Sequence, residues 1–472
     1  MLRNTGEVLE WFSLVFFIPL AYAIITADMT SIAAFAIPMA ISLILGIALK
    51  KIFYSKYPSQ MVHAMVAVVL VWFSACILAG IPYVIGLGKP WLDAVFQSTS
   101  ALTTTGLDVF HGSAVNMSTI PAIYVFWTNF LSWVGGAGIV MIALVGLISV
   151  FESSKFALAE GREERIKPNI IHTARLIWEI YFVLTGIGFV LLLLSGMGPF
   201  DAINYAMSAI STTGFGTSDN VIITNPLTQI ALMIIMILGA TSFFAHYMVY
   251  KKDRLFYFKD TQILTMLSLI VVGFFFVVGV LIPHYGQSGF RTALFSVVSA
   301  LTCGGFAPDE FVKWISTAQP ALIMLAFLMI IGGSAGSTSG GIKLSRFIVL
   351  MKTLYWKTKK ILLPRSAVFV RKFEGKTLSH DEVENILFFI LVYILFIFIG
   401  SLVLTMTGYS FTESFFEVVS AQSNSGLSLI TSASMPGIAK LMLIINMIIG
   451  RLEIIPFLVL MGFLLEIEIR RL

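Results

Sequence analysis

Four stretches of this chain share both a Ser-Ala pair with a glycine six residues past the serine and one surrounding context. They are SALTTTG (Ser100 to Gly106), SAISTTG (Ser208 to Gly214), SALTCGG (Ser299 to Gly305) and SAQSNSG (Ser420 to Gly426). Turns rich in hydroxyls and glycine bring main-chain carbonyls into the open. Carbonyl oxygens can replace an ion's hydration shell, so four such turns around one axis form a path for cations. The candidate ligands are Thr103, Thr104, Thr105 and Gly106, then Ser211, Thr212, Thr213 and Gly214. The third and fourth turns add Thr302, Cys303, Gly304 and Gly305, and Ser423, Asn424, Ser425 and Gly426. Glycine at the last position opens torsions closed to other residues and lets four strands converge without side-chain crowding.

The spacing alone is not specific. SACILAG (Ser74 to Gly80) and SAGSTSG (Ser334 to Gly340) also fit it. The first lies inside an apolar run and reads as helix packing through small residues. Context separates the four: each follows a short segment led by Trp91, Phe200, Phe290 or Phe411 and lies between two long apolar stretches. A single copy would read equally well as a kink between packed helices. Four copies in equivalent context argue against that, because a repeat implies a repeated unit.

Composition sets the class. The chain of 472 residues is 58% hydrophobic and 12% charged, with mean hydropathy +0.94. Soluble domains carry about a quarter charged residues, so this is a polytopic membrane protein. Ten spans of roughly 20 residues are expected near 10–27, 31–49, 61–86, 120–150, 172–197, 226–249, 262–283, 320–350, 385–407 and 437–465. The four aromatic-led segments are too short to cross and read as re-entrant half-helices. Of 30 Lys and Arg, only Lys89, Arg291, Lys313 and Lys440 fall on the outer side, with Arg451 inside the membrane. The others gather at Arg3, near 50–56, 155–175, 251–259 and 343–376, and at the C-terminal end, which are cytoplasmic by the positive-inside rule. Both termini are then cytoplasmic and the four turns open outward. The net charge of +5 lies at membrane edges and needs no nucleic-acid partner.

In this orientation each half-helix dips toward the midplane with the negative end of its macrodipole at the axis, which favours a cation. Asp93, Asp201 and Glu413 stand seven residues before the serine in three copies, with Thr292 in the other. At half-helix starts they are expected to be caps.

The run Gly332-Gly333-Ser334-Ala335-Gly336-Ser337-Thr338-Ser339-Gly340-Gly341 interrupts the span after the third turn. It is no phosphate loop, since Ile342 separates Gly341 from Lys343 and the motif needs Gly-Lys adjacency. Each glycine costs a helix about 0.8–1 kcal/mol relative to alanine, so the helix breaks here. Broken backbone beneath a cation path is a natural gate; the plain alternative is a passive kink. Arg451 lies eleven residues past Lys440, roughly 16 Å deeper at 1.5 Å per residue. An arginine at that depth must face protein or water. It lines the path and meets the Gly332–Gly341 loop, or pairs with Glu453 or another carboxylate, and the two roles are not exclusive.

Cys76 and Cys303 make no disulfide framework, and the six histidines (His63, His111, His172, His246, His284, His380) show no ligand spacing. No nucleophile–base set of an intramembrane enzyme is found. Ala21-Tyr22-Ala23 resembles a signal-peptidase site, but Glu7 and Glu10 spoil a basic leader. The segment reads as a retained hairpin.

These residues resemble the Trk/Ktr/HKT superfamily of potassium transporters, specifically its bacterial Trk-type (TrkH/TrkG-like) translocating subunit. The likeness covers essentially the whole chain. Its most specific points are the four glycine turns, IGGSAGSTSGGIK (Ile331 to Lys343) and GRLE (Gly450 to Glu453). It implies an all-α polytopic membrane protein: a leading two-helix hairpin plus four helix–re-entrant loop–helix units with pseudo-fourfold symmetry around one pore. On this reading residues 1–58 form the hairpin, and units one to four span 59–151, 152–256, 257–378 and 379–472. The third unit carries the gating loop and a basic cytoplasmic segment. The resemblance further implies a K⁺ site at the four turns, a gate of the Gly332–Gly341 loop with Arg451, and a homodimer. It also implies a cytoplasmic ring of TrkA-like regulatory subunits, which carry the nucleotide (NAD or ATP) so that this chain binds none. Segment 343–376 suits docking of that ring or of anionic lipid headgroups. The fourth turn, Asn424-Ser425-Gly426-Leu427-Ser428, departs from the Gly-Pro-Gly many Trk-type members carry.

The expected function is gated K⁺ uptake across a bacterial cytoplasmic (inner) membrane, with K⁺ as the transported ion. The alternative is symport of K⁺ with H⁺ or Na⁺. A symporter calls for an intramembrane carboxylate or inverted repeats; these repeats run parallel, and Glu453 is the one clear mid-span acid in the sequence.

Overall fold

The structure, a computed structural model, describes residues 1–53, 61–110, 120–138, 170–217, 225–251, 253–308, 311–362, 364 and 371–469. The basic stretch at 155–169, His111, residues 365–370 and the boundary between the first two units lie outside these residues.

Long apolar runs become long helices, because a helix satisfies its own backbone where no water is present. Six described helices are long and apolar enough to cross a membrane: Leu2–Ile25, Met29–Ile52, Met61–Leu87, Thr173–Leu194, Thr261–Tyr285 and His380–Met406. The last four open the four units. Asp260 caps the third, and Ser379 with Glu382 forms a capping box at the fourth. Val271, Phe275, Leu391 and Phe398 on these helices are exposed, as suits a surface that meets hydrocarbon. The chain is a multi-pass membrane protein.

Each unit continues with a half-helix: Trp91–Leu102, Pro199–Ile210, Ser288–Thr302 and Phe411–Gln422. A second helix follows in each: Ala122–Ala137, Pro226–Ala240, Gln319–Ile331 and Gly437–Arg451. Every second helix packs on the half-helix of the next unit, and the fourth packs on the first, so the four units close into a ring. The C-terminal helix Ile455–Ile469 also returns to Met61–Leu87 of the first unit.

The expected uninterrupted second spans are not found. The second-unit helix bends by 95° into Phe243–Lys251, and the fourth by 114° into Ile455–Phe463. The third stops at Ile331, and the chain resumes as helix at Leu344–Leu362. The first ends at Ala137 with Gly138 at φ +94°. The interruption read for the third unit alone thus recurs in the second and fourth, while the continuation of the first lies outside the described residues.

The N-terminal hairpin packs tightly on itself, Gly6 against Gly46. It lies outside the ring on the first unit, through Phe16 on Trp127 and Phe35 on Tyr124. At the other end of the third unit, Leu344–Leu362 and a two-stranded ribbon (Lys372–Phe373, Lys376–Thr377) enclose a small core of Val349, Trp356 and Val383.

Candidate functional site

All four half-helices end in one way. The alanine of each Ser-Ala pair accepts from the residue three further on: Ala101 from Thr104, Ala209 from Thr212, Ala300 from Cys303 and Ala421 from Asn424. The serine carbonyl accepts from the residue five further on, Thr105, Thr213, Gly304 and Ser425, at 2.7–2.9 Å. This bond pair is the Schellman ending of a helix, which needs a left-handed residue after the last turn. That residue is Thr104 (φ 58°), Thr212 (φ 53°), Cys303 (φ 54°) and Asn424 (φ 51°). A left-handed torsion costs a residue other than glycine about 1–2 kcal/mol. Its recurrence at one position in four units marks a constrained site.

The chain then reaches the four glycines, all at positive φ between 74° and 100°. They face one another. A Cβ on Gly106 would collide with the Thr213 carbonyl oxygen and lie 3.4 Å from Gly426 Cα. One on Gly214 would lie 2.5 Å from the Gly305 carbonyl carbon, and one on Gly305 would lie 2.5 Å from the Ser425 oxygen. One on Gly426 would meet the Thr105 oxygen and lie 2.8 Å from the Thr213 oxygen. The four expected turns therefore meet at one centre, with main-chain oxygens of Thr105, Thr213 and Ser425 among the glycines. Hydroxyls pair with one another: Thr103 Oγ1 with Thr105 Oγ1, and Ser211 Oγ with Thr213 Oγ1, each 2.7 Å. Asn424 Nδ2 donates to Thr105 Oγ1 at 2.9 Å, tying the fourth turn to the first.

The Gly332–Gly341 loop runs among the half-helix ends. Thr338 Oγ1 donates to Ile210 O, the last residue of the second half-helix, at 2.8 Å, and to Gly239 O at 2.9 Å. Ser334 N donates to Ala240 O and Gly341 N to Ser423 O. Gly340 lies so close that a Cβ would collide with Ser423 O. Inside the loop, Ser337 Oγ donates to Ser334 O, Ser339 Oγ accepts from Gly333 N, and Ala335 N donates to Gln262 Oε1. Gly332 and Gly336 hold positive φ. The loop thus closes the breaks of the second and third units with hydrogen bonds.

Arg451 joins the remaining parts. It donates to Thr338 O (3.2 Å), Thr104 Oγ1 (3.4 Å), Gly136 O (3.2 Å) and Gly135 O. Glu453 is not its partner; that carboxylate pairs with Arg346 from the helix after the loop.

Two readings need correction. Capping at the half-helix starts holds only for Glu413, in a capping box with Ser410. Asp93 instead pairs with Lys440 of the fourth unit at 2.6 Å, and Asp201 accepts from Thr217 Oγ1. Glu453 is also not the sole acid at depth, since Glu417 on the fourth half-helix is fully buried. Sequence reasoning missed the Gly-small pair closing each second helix: Gly135-Gly136, Gly239-Ala240, Gly332-Gly333 and Gly450-Arg451. A Cβ on Gly135, Gly239 or Gly450 would clash with Leu102 O, Ile210 O or Gln422 O of its own half-helix. Aligning the four units by eye would have found the pair, and with it Arg451 as the exceptional member.

Four re-entrant turns meeting inside a ring of broken helices define an ion-translocation fold of the membrane. The family model described as TrkH, cation transport protein, matches residues 31–468, and the chain belongs to this family. It is 35% identical over 434 residues to an uncharacterized cation transporter of Methanocaldococcus jannaschii, covering 91% of this chain and 88% of that one. It is 30% identical to the Trk system potassium uptake protein TrkH of Vibrio parahaemolyticus, over 78% of both chains. The crystal structure of the potassium transporter TrkH from Vibrio parahaemolyticus superposes with TM-score 0.84 at 28% identity, over 98% of this chain and 97% of that one.

Proposed function

We propose that this chain is the K⁺-translocating subunit of a Trk-type uptake system in a cytoplasmic membrane, with both termini on the cytoplasmic side. The four turns are its selectivity filter. The observation that carries this reading is the mutual approach of Gly106, Gly214, Gly305 and Gly426, where any added Cβ meets a neighbouring turn. Only main-chain oxygen is left to dress an ion there, and carbonyl ligation suits K⁺. Each K⁺ entering gains about 2.3 kcal/mol per 100 mV of inside-negative potential.

The loop Gly332–Gly341 and Arg451 act as the gate: they span the half-helix ends, and Arg451 brings a positive charge beside them. The working unit is a homodimer on a ring of TrkA-like nucleotide-binding subunits, docked at the basic surface that includes Lys357, Lys359 and Lys360. These three residues are exposed on Leu344–Leu362.

The test is reconstitution in liposomes with reversal potentials measured against K⁺, Na⁺ and pH gradients. Potentials that follow K⁺ alone support the pore. A shift with pH or Na⁺ means coupled transport, and no K⁺ current or flux overturns the reading.

A further inference from the structure

Each filter turn must continue outward after its glycine, and that outgoing limb also has backbone to satisfy. In the first unit Val109 N donates to Gln97 Oε1 at 3.0 Å. In the second, Thr217 N donates to the Tyr205 hydroxyl at 3.2 Å. In the fourth, Leu429 N donates to Glu417 Oε2 at 3.2 Å, while Ser428 Oγ donates to Oε1 at 2.8 Å. The three acceptors occupy one position, three residues before the motif serine. The three donors also occupy one position, three residues past the filter glycine. An amide, a phenol and a carboxylate share little except a long reach and an oxygen that accepts.

The third unit tests the pattern within the molecule. Its donor position is Pro308, which has no N–H to offer. Its acceptor position is Ser296, a side chain that is short, fully buried and without a hydrogen-bond partner among the described residues. Where the donor is missing, the long acceptor is missing too.

We propose that Gln97, Tyr205 and Glu417 are positioning residues for ion selection. Each straps the outgoing limb of its turn to its own half-helix and so sets how far the filter carbonyls can move. In the third unit the proline ring, with φ fixed near −65°, does the same work. The proposal rests on the filter reading above and extends it to residues that touch no ion.

The experiment compares K⁺ over Na⁺ permeability in liposomes for Tyr205→Phe, Glu417→Leu, Glu417→Gln and Ser296→Ala, with Gly106→Ser as reference. Tyr205→Phe removes one oxygen and keeps the ring, so folding is retained. An unpaired buried N–H is costly, and the permeability ratio should fall about threefold to tenfold in Tyr205→Phe and Glu417→Leu. Glu417→Gln, which keeps an acceptor, should recover most of the ratio, and Ser296→Ala should match the parent. If Gly106→Ser lowers the ratio while Tyr205→Phe and Glu417→Leu do not, the strap proposal fails and the filter reading stands. If Gly106→Ser also leaves it unchanged, the filter reading itself fails. An equal loss in Glu417→Gln and Glu417→Leu would mean that the charge, not the hydrogen bond, matters, and would overturn the strap. Should Glu417→Leu not fold, Tyr205→Phe against Ser296→Ala decides alone.

Discussion

Arg451 donates to the main-chain carbonyl of Thr338 at 3.2 Å, joining the fourth unit to the loop of the third directly beside the half-helix ends. Residues at the Arg451 position in the other units are Gly136, Ala240 and Gly333. A pore with fourfold symmetry would place a small residue at all four. This ring places one guanidinium, so a single side chain sets both a charge and a steric limit.

Replacing Arg451 with alanine should therefore raise K⁺ flux. Two unit charges about 4 Å apart repel by about 4 kcal/mol at an effective dielectric of 20, and removal of even a third of that corresponds to about a tenfold gain in rate. Rubidium uptake into liposomes measures it. Arg451→Lys should stay near the parent, and equal or lower flux in a folded Arg451→Ala protein would leave the arginine a structural role only.

Substitution of the filter glycines should harm selection before it harms the ring as a whole. Serine at 106 or 305 puts a Cβ against a main-chain oxygen of Thr213 and forces a positive φ on a residue that disfavours it. The expected result is a K⁺ over Na⁺ preference reduced by about tenfold or more, a cost of about 1.4 kcal/mol. Bi-ionic reversal potentials read it directly. An unchanged preference in both variants removes these positions from the filter.

Much of this was legible in the chain because the repeat is local. The Ser-Ala pair, the turn residues and the glycine sit within seven positions, and a Schellman ending is encoded over that distance. Ten apolar runs were equally plain, but their continuity was not. The helices end at Ala137, Ala240 and Arg451, just past Gly135, Gly239 and Gly450, each of which abuts a half-helix carbonyl brought there by the fold. Similarly, Asp93 looked like a cap and became one half of an ion pair, because its partner Lys440 is remote in sequence and arrives only when the fourth unit closes on the first. Glu417 was overlooked as a buried acid because its partners, Ser428 and Leu429, lie eleven and twelve residues on and reach it only once the filter turn folds back.

That closure makes its own forecast. The Lys440 and Asp93 side chains are 7% and 23% exposed, and Lys440 also donates to Ala433 O. Removing one partner strands a charge, an effect of about 3–5 kcal/mol for buried pairs. Lys440→Met should lower the melting temperature in detergent markedly, while the double change Lys440→Met with Asp93→Leu should recover most of it. No loss in the single variant would mean the seam is held by apolar packing alone.

Thr338 offers the sharpest probe of the loop as a gate. Its hydroxyl donates to Ile210 O and Gly239 O and is the main side-chain anchor of the loop on the second unit. Valine has nearly the same shape and no donor, so Thr338→Val leaves packing in place and removes both bonds. The hydroxyl has one proton shared between the two carbonyls, a net contribution of about 0.5–1.5 kcal/mol, which would shift a closed-to-open balance by about twofold to twelvefold. A gate should respond with higher flux and unchanged K⁺ preference, because the hydrogen bonds to the Ser and Ala carbonyls that close each filter turn are untouched. A passive kink should respond with lower thermal stability and unchanged flux. Measuring rubidium uptake and melting temperature on one preparation separates the two outcomes, and Thr338→Ser, which keeps the donor, should restore parental behaviour in either case.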